Sequence, residues 1–190
     1  MRIAVLSPHL DDAAFSCGET MISRPADWFT IVTPFAAAPE GNEKYEILHA
    51  EHEALLRATG WSGINGPFMD DGFPGPRPLA AEIQAWLQPM ADDFDEWWVP
   101  FGIHHPDHVL CAEAFRSVGR ATAGFARYEE LPYRVLYPDF LSPIEKHRWP
   151  SENVAQTCCV ARKHWLVGFY QSQVGPDLER HVYAYERIWR

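Results

Sequence analysis

The sequence predicts a three-layer α/β/α domain with a mostly parallel sheet. Short, nearly continuous apolar runs, typical of strands that are buried on both faces, alternate with segments whose apolar residues recur at helical spacing. This alternation is characteristic of β-α-β units and therefore of a parallel sheet. The length of 190 residues suits one domain, and a hydrophobic fraction of 47% excludes a mainly disordered chain.

The first half of the chain alternates strand and helix patterns. One apolar run opens the chain and a second ends at Pro34, and the residues between them have the length of one crossover helix. In the next segment the apolar residues lie on helical spacing, and Gly60 supplies a stop. In chain order the predicted elements are strand 2–7, helix 11–23, strand 28–33, helix 42–59, strand 64–69 and helix 79–90.

The second half continues the alternation with shorter patterns. Trp97 and Trp98 lie in an apolar run that predicts a strand, and a helix with apolar residues at helical spacing follows it. In chain order the predicted elements are strand 95–100, helix 107–120, strands 134–137 and 155–161, helix 163–171, and a terminal helix or edge strand within 180–189. We therefore expect one Rossmann-like domain over residues 1–190.

The charge balance limits the partners of the protein. Sixteen Lys and Arg stand against 26 Asp and Glu, a formal net charge of −10, and such a surface is unsuited to neutralising phosphates. We therefore expect no nucleic-acid partner. The apolar stretches are too short and interrupted to span a bilayer, so no membrane span is predicted. The oligomeric state is left open, a homo-oligomer included.

The four cysteines are predicted to be free thiols. Cys158 and Cys159 are neighbours in a predicted strand, where adjacent side chains point to opposite faces, and Cys17 and Cys111 stand apart. The chain enters a strand-like run directly after Met1, which leaves no room for a signal peptide. We expect a cytoplasmic location, where thiols stay reduced.

The first polar cluster comes directly after the first predicted strand. Residues 7–12 read SPHLDD, so His9, Asp11 and Asp12 stand where a turn enters the next helix. His9 and Asp12 are three positions apart and can bring both side chains to one side, whereas Asp11 projects differently. Binding sites of parallel α/β sheets form outside the carboxyl ends of the strands, which is where this cluster stands.

The second polar cluster has the same placement. Residues 104–108 read HHPDH; they follow the strand at 95–100, and Pro106 suits the first turn of the next helix. His105 and His108 are again three positions apart and can converge. If the two strands are neighbours in the sheet, both clusters meet at one edge.

Together the two clusters offer a set of metal ligands. His9, Asp12 and His108 supply two imidazoles and a carboxylate, and three protein ligands plus a water are the pattern of catalytic zinc sites. Asp11 is then placed to accept a proton from a bound water, whose pKa is lowered toward about 7. His105 is placed to stabilise the oxyanion that forms when hydroxide attacks a carbonyl. The pattern indicates a metal-dependent hydrolase.

Each cluster alone also has a structural interpretation. Two Asp at a helix start can cap the helix and complement its dipole, an H-x-x-H spacing often has no function, and imidazoles in an acidic protein can simply be solvated. The occurrence of two clusters at two strand ends favours the metal site.

The same residues resemble the LmbE-like or PIG-L-type zinc N-deacetylases. The N-terminal signature of that family corresponds to residues 7–13, followed by CGET at 17–20, and its H-P-D-H signature stands at 105–108. The resemblance spans most of the chain, since further similarity occurs at residues 51–60, 70–72 and 170–173.

The resemblance implies a catalytic role for both clusters. It implies zinc bound by His9, Asp12 and His108, with Asp11 as the general base and His105 as the group that stabilises the tetrahedral intermediate. It also implies a small-molecule substrate, an N-acyl amino-sugar derivative from which an acyl group, most often acetyl, is removed. Zinc is the expected metal, and divalent iron, cobalt or nickel suits the same ligands.

The chain departs from the family pattern at several positions. Ala13 stands where a Glu often follows the two Asp, and residues 48–51, LHAE, stand where many members carry an Arg before a helix Glu. Phe101 and Ile103 take the place of a Tyr that some members use as a general acid. A proton donor is then expected from His104, His105 or a Tyr elsewhere, such as Tyr170.

The sequence says less about the residues at the rim of the substrate site and about the exact reaction. Residues 70–78, with Phe73 and Arg77, are expected at the rim because loops at strand ends carry specificity; a solvated loop is the alternative. Most tryptophans are assigned to the core, although flat aromatic rings also stack on sugars. Two other functions compete: a zinc amidase acting on a thiol conjugate or other small amide, and a catalytically silent carbohydrate-binding protein of the same fold.

Overall fold

A computed structural model of the chain describes residues 1–118, 124–140, 154–155, 159–176, 181–184 and 186–189. Strands and helices alternate along these residues. In chain order they are β1 (Arg2–Leu6), α1 (Asp12–Ile22), β2 (Trp28–Thr33), α2 (Glu43–Thr59), β3 (Ser62–Asn65), α3 (Ala80–Leu87), a 3-10 helix (Gln88–Asp93), β4 (Glu96–Pro100), α4 (Pro106–Val118), β5 (Phe125–Tyr128), α5 (Tyr133–Leu136), β6 (Val154–Ala155), α6 (Val160–Val167) and β7 (Arg187–Trp189).

The described strands form one sheet in the order β3-β2-β1-β4-β5-β7-β6. The five strands from β3 to β5 in this order run parallel, and β7 is antiparallel to both of its neighbours. The predicted mostly parallel sheet is therefore confirmed. The segment 180–189 ends in an inner strand, β7, and not in the terminal helix or edge strand that the sequence predicts.

Two layers of helices cover the sheet, as predicted. Successive side chains of a strand point to opposite faces, and β1 shows where each face packs. Ile3 and Val5 belong to a core that includes residues of α1, α2 and α6, whereas Ala4 and Leu6 belong to a second core with α3 and α4. All four side chains are fully buried, which places β1 in the middle of the domain.

Of the strands predicted in the second half, the one at 134–137 is wrong, and the one at 155–161 is confirmed only at Ala155, in β6. Residues Tyr133–Leu136 form α5 in place of a strand at 134–137, and the first turn of α6 replaces the end of the strand predicted at 155–161. A short apolar run does not by itself distinguish a strand from a helix. β5 is missed because Arg127 interrupts its apolar residues, although the guanidinium is buried and donates to a backbone carbonyl of β4.

The cysteines within the described residues are free thiols. Cys17 and Cys111 are buried, and Cys159 is exposed at the start of α6, not in a strand. Cys158 and Trp149, both singled out in the sequence, lie outside the described residues. Among the residues that are described we find no helix with the length and apolarity needed to span a bilayer.

A buried ion pair between Lys163 and Glu186 binds to α1, on the face of the sheet that does not carry α3 and α4. The Nζ of Lys163 lies 2.7 Å from Oε1 of Glu186, and both side chains are almost fully buried. The Glu186 carboxylate accepts the backbone N–H groups of Glu19 and Thr20 at 2.8 Å, and Lys163 donates to the carbonyl of Phe15. The pair is thus bonded to the middle of α1, whose first turn carries Asp12.

Candidate metal centre

The two polar clusters meet because β1 and β4 are adjacent parallel strands. β1 leads through a short turn to His9 and to Asp11, which occupies the N-cap position of α1, and Asp12 is the first residue of that helix. β4 leads through a loop to α4, whose first turn contains His108. The neighbourhood of the two strands, on which the predicted site depends, is therefore confirmed.

A tight turn between β4 and α4 directs the second cluster. Gly102 has a φ of +86°, and a Cβ at this position would lie 3.1 Å from the Cα of Val109, so glycine allows the loop to approach α4 closely. His104 has a φ of +61°, which is uncommon for a residue other than glycine. The chain then enters α4 with His105 and His108 beside the end of β1.

Asp12 lies at the centre of the candidate ligand set. Its Oδ2 lies 3.2 Å from Nδ1 of His9 and 3.1 Å from Nε2 of His108, and it accepts the backbone N–H of His9 at 2.8 Å. Neighbouring ligand atoms around a tetrahedral zinc ion lie about 3.3 Å apart, given the usual bond lengths. The distance from Oδ2 of Asp12 to each of the two imidazole nitrogens is therefore close to that between neighbouring zinc ligands.

The imidazole of His108 supports the same assignment. The side chain is fully buried, and neither ring nitrogen makes a hydrogen bond of good geometry to a described residue. Buried polar atoms are normally satisfied, so an imidazole nitrogen of this kind points to a missing partner. A divalent cation bound to Nε2 would be that partner.

Each candidate histidine ligand has a buried carboxylate behind it. Oδ2 of Asp107 lies 3.0 Å from Nε2 of His9, and Oε1 of Glu130 lies 3.4 Å from Nδ1 of His108. Carboxylates placed in this way orient metal-binding imidazoles and increase their basicity. Asp107 stands within the H-P-D-H segment, whereas no sequence pattern identifies Glu130.

The carboxylates also control protonation of the two histidines. Burial alone would lower the pKa of both rings, but Asp107 and Asp12 raise that of His9 well above its usual value, and Asp12 and Glu130 raise that of His108 to about 9. Burial alone would raise the pKa of Asp12, yet His108 and His9 lower it far below its usual value. Protons on the two rings therefore compete with any cation for this position.

Asp11 lies beside the three candidate metal ligands and is not one of them. Its carboxylate lines the cavity beside the ligand set and makes no capping hydrogen bond to α1, so the capping interpretation of the Asp pair is not supported. Burial and the negative charge of Asp12 raise the pKa of Asp11 to about 7. A bound cation would favour its ionised form. Asp11 is thus placed to accept a proton from water.

His105 faces the same cavity as a hydrogen-bond donor. Its Nδ1 accepts the backbone N–H of Asp107 at 3.3 Å, so the neutral ring carries its proton on Nε2, which lies 3.5 Å from Oδ1 of Asp71. Burial lowers the pKa of His105, and His9 and His108 lower it further. The five residues predicted from the sequence, His9, Asp11, Asp12, His105 and His108, are therefore close together.

Within the described residues, one group of side chains that could hold a metal ion is His9, His105 and His108, so His105 is also close enough to serve as a ligand. A second group, Asp71, His105 and Asp107, shares His105 with the first. Arg77 already supplies a positive charge there: its guanidinium pairs with Asp107 and lies 3.5 Å from Oδ2 of Asp71. The backbone N–H of Asp71 also donates to Asp107, at 3.0 Å. Arg77 thus fastens its loop to the site and neutralises these carboxylates.

The cavity over the centre has a volume of about 210 Å³. His9, Asp11, Asp12 and His105 form its acidic and basic part, and apolar side chains form one wall. The remaining residues that line it are Phe15, Lys44, Tyr45, Leu48, Asp70, Leu131, Pro132, Tyr133 and Gln173. Of the loop expected at the rim, Asp70 takes this position, whereas Phe73 packs on Tyr45 and Arg77 turns to Asp107.

The tyrosine that lines the cavity is Tyr133, and not Tyr170 as the sequence suggested. Tyr170, suggested as a proton donor, is fully buried; its hydroxyl donates to the carbonyl of Leu10 and lies 2.9 Å from Nδ1 of His52. It does not line the cavity. Tyr133 does so, although its place just before a wrongly predicted strand gave no functional signal.

The tryptophans within the described residues do not form a surface for sugar stacking at this site, since none of them lines the cavity. Trp97 and Trp98 are fully buried in the core, as expected. Trp28, Trp61 and Trp165 line a separate cavity of about 470 Å³. The charged side chains of that cavity, Arg24 and Asp27, pair with each other at 2.6 Å.

Comparison with known proteins gives the fold but no close relative. No family model and no curated protein matches the sequence. A triple mutant of a deacetylase of the teicoplanin biosynthetic pathway has a TM-score of 0.78 and 19% identity, over 100% of this chain and 97% of that chain. A zinc-inhibited form of the teicoplanin deacetylase Orf2 is also similar, with a TM-score of 0.72 and 17% identity, over 100% of this chain and 97% of that chain.

Two further structures show the range of proteins that share this architecture. N,N'-diacetylchitobiose deacetylase of Pyrococcus horikoshii has a TM-score of 0.60 and 16% identity, over 94% of this chain and 73% of that chain. GalB, a 4-carboxy-2-hydroxymuconate hydratase of Pseudomonas putida, has a TM-score of 0.55 and 11% identity, over 96% of this chain and 81% of that chain. The protein therefore has the three-layer α/β fold that these deacetylases and this hydratase share.

Proposed function

We propose that the protein is a zinc-dependent N-deacetylase that removes an acyl group, in the first instance acetyl, from an amino-sugar derivative. The observation that carries this proposal is the position of Asp12, whose Oδ2 lies 3.2 Å and 3.1 Å from ring nitrogens of His9 and His108. Asp11 and His105 flank this set in one cavity. The similarity in fold to the teicoplanin and chitobiose deacetylases supports the same activity.

His9, Asp12 and His108 would hold the zinc ion. When bound, zinc lowers the pKa of a bound water toward about 7 and polarises a carbonyl oxygen. The buried carboxylates of Asp107 and Glu130 would fix the two imidazoles in the orientation that binding needs.

The remaining side chains account for the proton transfers. Asp11 takes a proton from water as the water oxygen bonds to the amide carbon. The N–H of His105 donates a hydrogen bond to the acyl oxygen, which becomes negatively charged. The C–N bond then breaks, and Asp11 returns the proton to the departing nitrogen. One amide and one water thereby give one carboxylic acid and one amine.

The shape of the cavity suits a small acylamino group and the ring that carries it. Its volume of about 210 Å³ lies below the roughly 300–1,000 Å³ of typical ligand pockets. Lys44, Asp70 and Gln173 supply polar groups that can bind sugar hydroxyls, next to the apolar wall. A larger aglycone would remain outside the cavity. One similar solved structure is a complex of a deacetylase with teicoplanin and another is N,N'-diacetylchitobiose deacetylase, which is consistent with an amino sugar as the substrate.

Measurements of metal content and of acetate release test the proposal together. We expect about one zinc per chain, release of acetate from N-acetylglucosamine derivatives, and loss of both metal and activity in His9→Ala and in His108→Ala. A metal-free protein with full activity would contradict the proposal. Turnover only with longer acyl groups or thiol conjugates would favour another amidase. Sugar binding without turnover of any N-acetylhexosamine derivative would favour a silent binding protein.

We further propose that residues 1–190 act as one domain in the cytoplasm. Strands from both parts of the chain, β1 and β7, lie in the same sheet, which supports a single folding unit. The free thiols of Cys17, Cys111 and Cys159 suit a reducing compartment. Expression of the chain and measurement of one cooperative unfolding transition would test the first point.

A further inference from the structure

Tyr133 reaches the candidate metal centre from the segment that follows β5. It lines the same cavity as His9, Asp11 and His105. Its ring packs edge-on against His108, with 4.9 Å between ring centroids, and lies 5.6 Å from the ring of His105. A phenol is thus placed beside one candidate ligand and beside the histidine that faces the substrate.

The hydroxyl of Tyr133 differs from the other tyrosine hydroxyls near the centre. Those of Tyr45, Tyr128 and Tyr170 each donate to a backbone carbonyl, of Phe35, Leu6 and Leu10 respectively. Within the described parts of the chain, the hydroxyl of Tyr133 has no hydrogen-bond partner, although the side chain is half-buried. Its O–H group is therefore available to a molecule in the cavity.

The backbone around Tyr133 is held firmly enough to keep this group in place. The backbone N–H of Leu131 donates to Oγ of Ser16 in α1 at 3.0 Å, and the N–H of Arg134 donates to the carbonyl of Glu130 at 2.8 Å. The carboxylate of Glu130 in turn binds the loop that leads to α4. A donor that is fixed before the reaction stabilises developing charge without a further cost of reorganisation.

The chemistry of the cavity calls for such a donor. Asp11 and Asp12 place negative charge next to the substrate, and the acyl oxygen itself becomes negative during attack by water. His105 supplies one N–H, and Lys44 is exposed at the rim. Phe101 and Ile103 have no group that can donate.

We propose that the hydroxyl of Tyr133 donates a hydrogen bond to the acyl oxygen while the amide carbon is tetrahedral. This inference rests on the proposed deacetylation. The proton stays on Tyr133 throughout, since Asp11 carries the proton that passes from water to the amine. The hydrogen bond therefore strengthens as charge develops, and it acts on kcat more than on KM.

Tyr133→Phe removes only the oxygen of this group, and Tyr137→Phe is the matched control. Tyr137 directly follows the same short helix, is exposed, and stacks on His104 without lining the cavity. Loss of one oxyanion donor costs about 10²–10³-fold in kcat, so we expect Tyr133→Phe to fall into this range with KM changed by less than about threefold. Zinc content and the unfolding midpoint should stay as in the wild type.

Wild-type kcat in Tyr133→Phe would overturn the proposal. A lowered unfolding midpoint in Tyr133→Phe would do so as well, since it would show that the hydroxyl already has a partner within the folded protein. Equal loss of kcat in Tyr137→Phe would indicate a general effect of this helix, and it would also count against Tyr133 as a donor.

Binding of methylphosphonate to the zinc-loaded protein separates this proposal from the proposed function. Its tetrahedral anionic group resembles the reacting amide carbon, and calorimetry measures its affinity without turnover. We expect about tenfold weaker binding in Tyr133→Phe and unchanged binding in Tyr137→Phe. A further outcome is that the wild type binds methylphosphonate more tightly than Tyr133→Phe and yet hydrolyses no N-acetylhexosamine derivative. That result would support Tyr133 as the donor and reject the proposed substrate. Equal binding in all three proteins would reject the donor role.

Discussion

Oε1 of Glu130 lies 3.4 Å from Nδ1 of His108 and also accepts the backbone N–H groups of Gly102 and Ile103, at 2.7 and 2.9 Å. One fully buried carboxylate therefore faces both the loop that leads into α4 and an imidazole of the candidate metal centre. The loop and the imidazole come from the β4–α4 segment, whereas Glu130 follows β5. The third strand in this part of the sheet thus takes part in the site, although it supplies no predicted ligand.

We expect Glu130→Gln to weaken zinc binding by about 10- to 100-fold, which is typical when a residue that orients a metal ligand is replaced. Glutamine has one acceptor oxygen and no charge, so it cannot both bind the loop and increase the basicity of His108. Competition with a chromophoric chelator measures the affinity. Glu113→Gln, on an exposed position of α4, is the control and should bind zinc as the wild type does. Unchanged affinity in a folded Glu130→Gln protein would contradict this role.

Asp11→Asn should keep the metal and lose most of the activity. A general base contributes about 10²–10⁴-fold to the rate, and asparagine has nearly the same shape as aspartate but accepts no proton. Zinc content and kcat are measured on the same sample. Wild-type turnover would remove Asp11 from the role of base, and loss of zinc would instead identify Asp11 as a ligand.

Zinc affinity should increase with pH. The pKa of His108 is raised to about 9 and that of His9 lies well above its usual value, so at neutral pH zinc must displace protons from these rings. Each displaced proton makes the apparent affinity rise about tenfold per pH unit below the pKa, and fall by the same factor as the pH drops. Calorimetry at pH 7 in buffers of different ionisation enthalpy should show between one and two protons released. A constant affinity from about pH 6 to pH 8 would contradict the protonated site.

Most of the first half of the fold is predictable because its patterns are local, although β3 lies at Ser62–Asn65 and not at 64–69 as predicted. The apolar run of β1, the helical spacing of α2 and the stop at Gly60 each specify their element without distant contacts. The later elements depend on tertiary context: Arg127 is acceptable in β5 because its guanidinium reaches a carbonyl of β4, and the four residues of α5 have no periodicity that separates helix from strand.

Some residues of the candidate site are likewise predictable from local patterns, whereas others depend on the order of the strands. His9, Asp12 and His108 follow from two short motifs and from the rule that sites form at the carboxyl ends of parallel strands. Glu130 and Tyr133 approach these residues only because β5 lies beside β4, and the sequence predicts neither β5 nor the order of the strands. Sequence patterns therefore identify the candidate ligands but not the groups that would orient them.

Lys163→Met should destabilise the fold strongly, although Lys163 does not itself line the cavity. Removal of one partner of a buried ion pair typically costs about 3–5 kcal/mol, because the other charge stays buried without compensation. Here the carboxylate of Glu186 would keep its hydrogen bonds to Glu19 and Thr20 of α1 but lose its cation. The free energy of unfolding is measured by urea titration.

Two further variants distinguish a buried charge from simple loss of packing. Combining Lys163→Met with Glu186→Gln removes both charges, so the double variant should recover part of the stability that Lys163→Met loses. Arg57→Met removes the exposed pair of Arg57 with Glu53 and should leave the unfolding midpoint nearly unchanged, because solvent screens such pairs. If the double variant is less stable than Lys163→Met, the contacts of Glu186 with α1, and not its pairing with Lys163, dominate at this position. In that case α1, and with it Asp11 and Asp12, is held mainly by hydrogen bonds to one carboxylate.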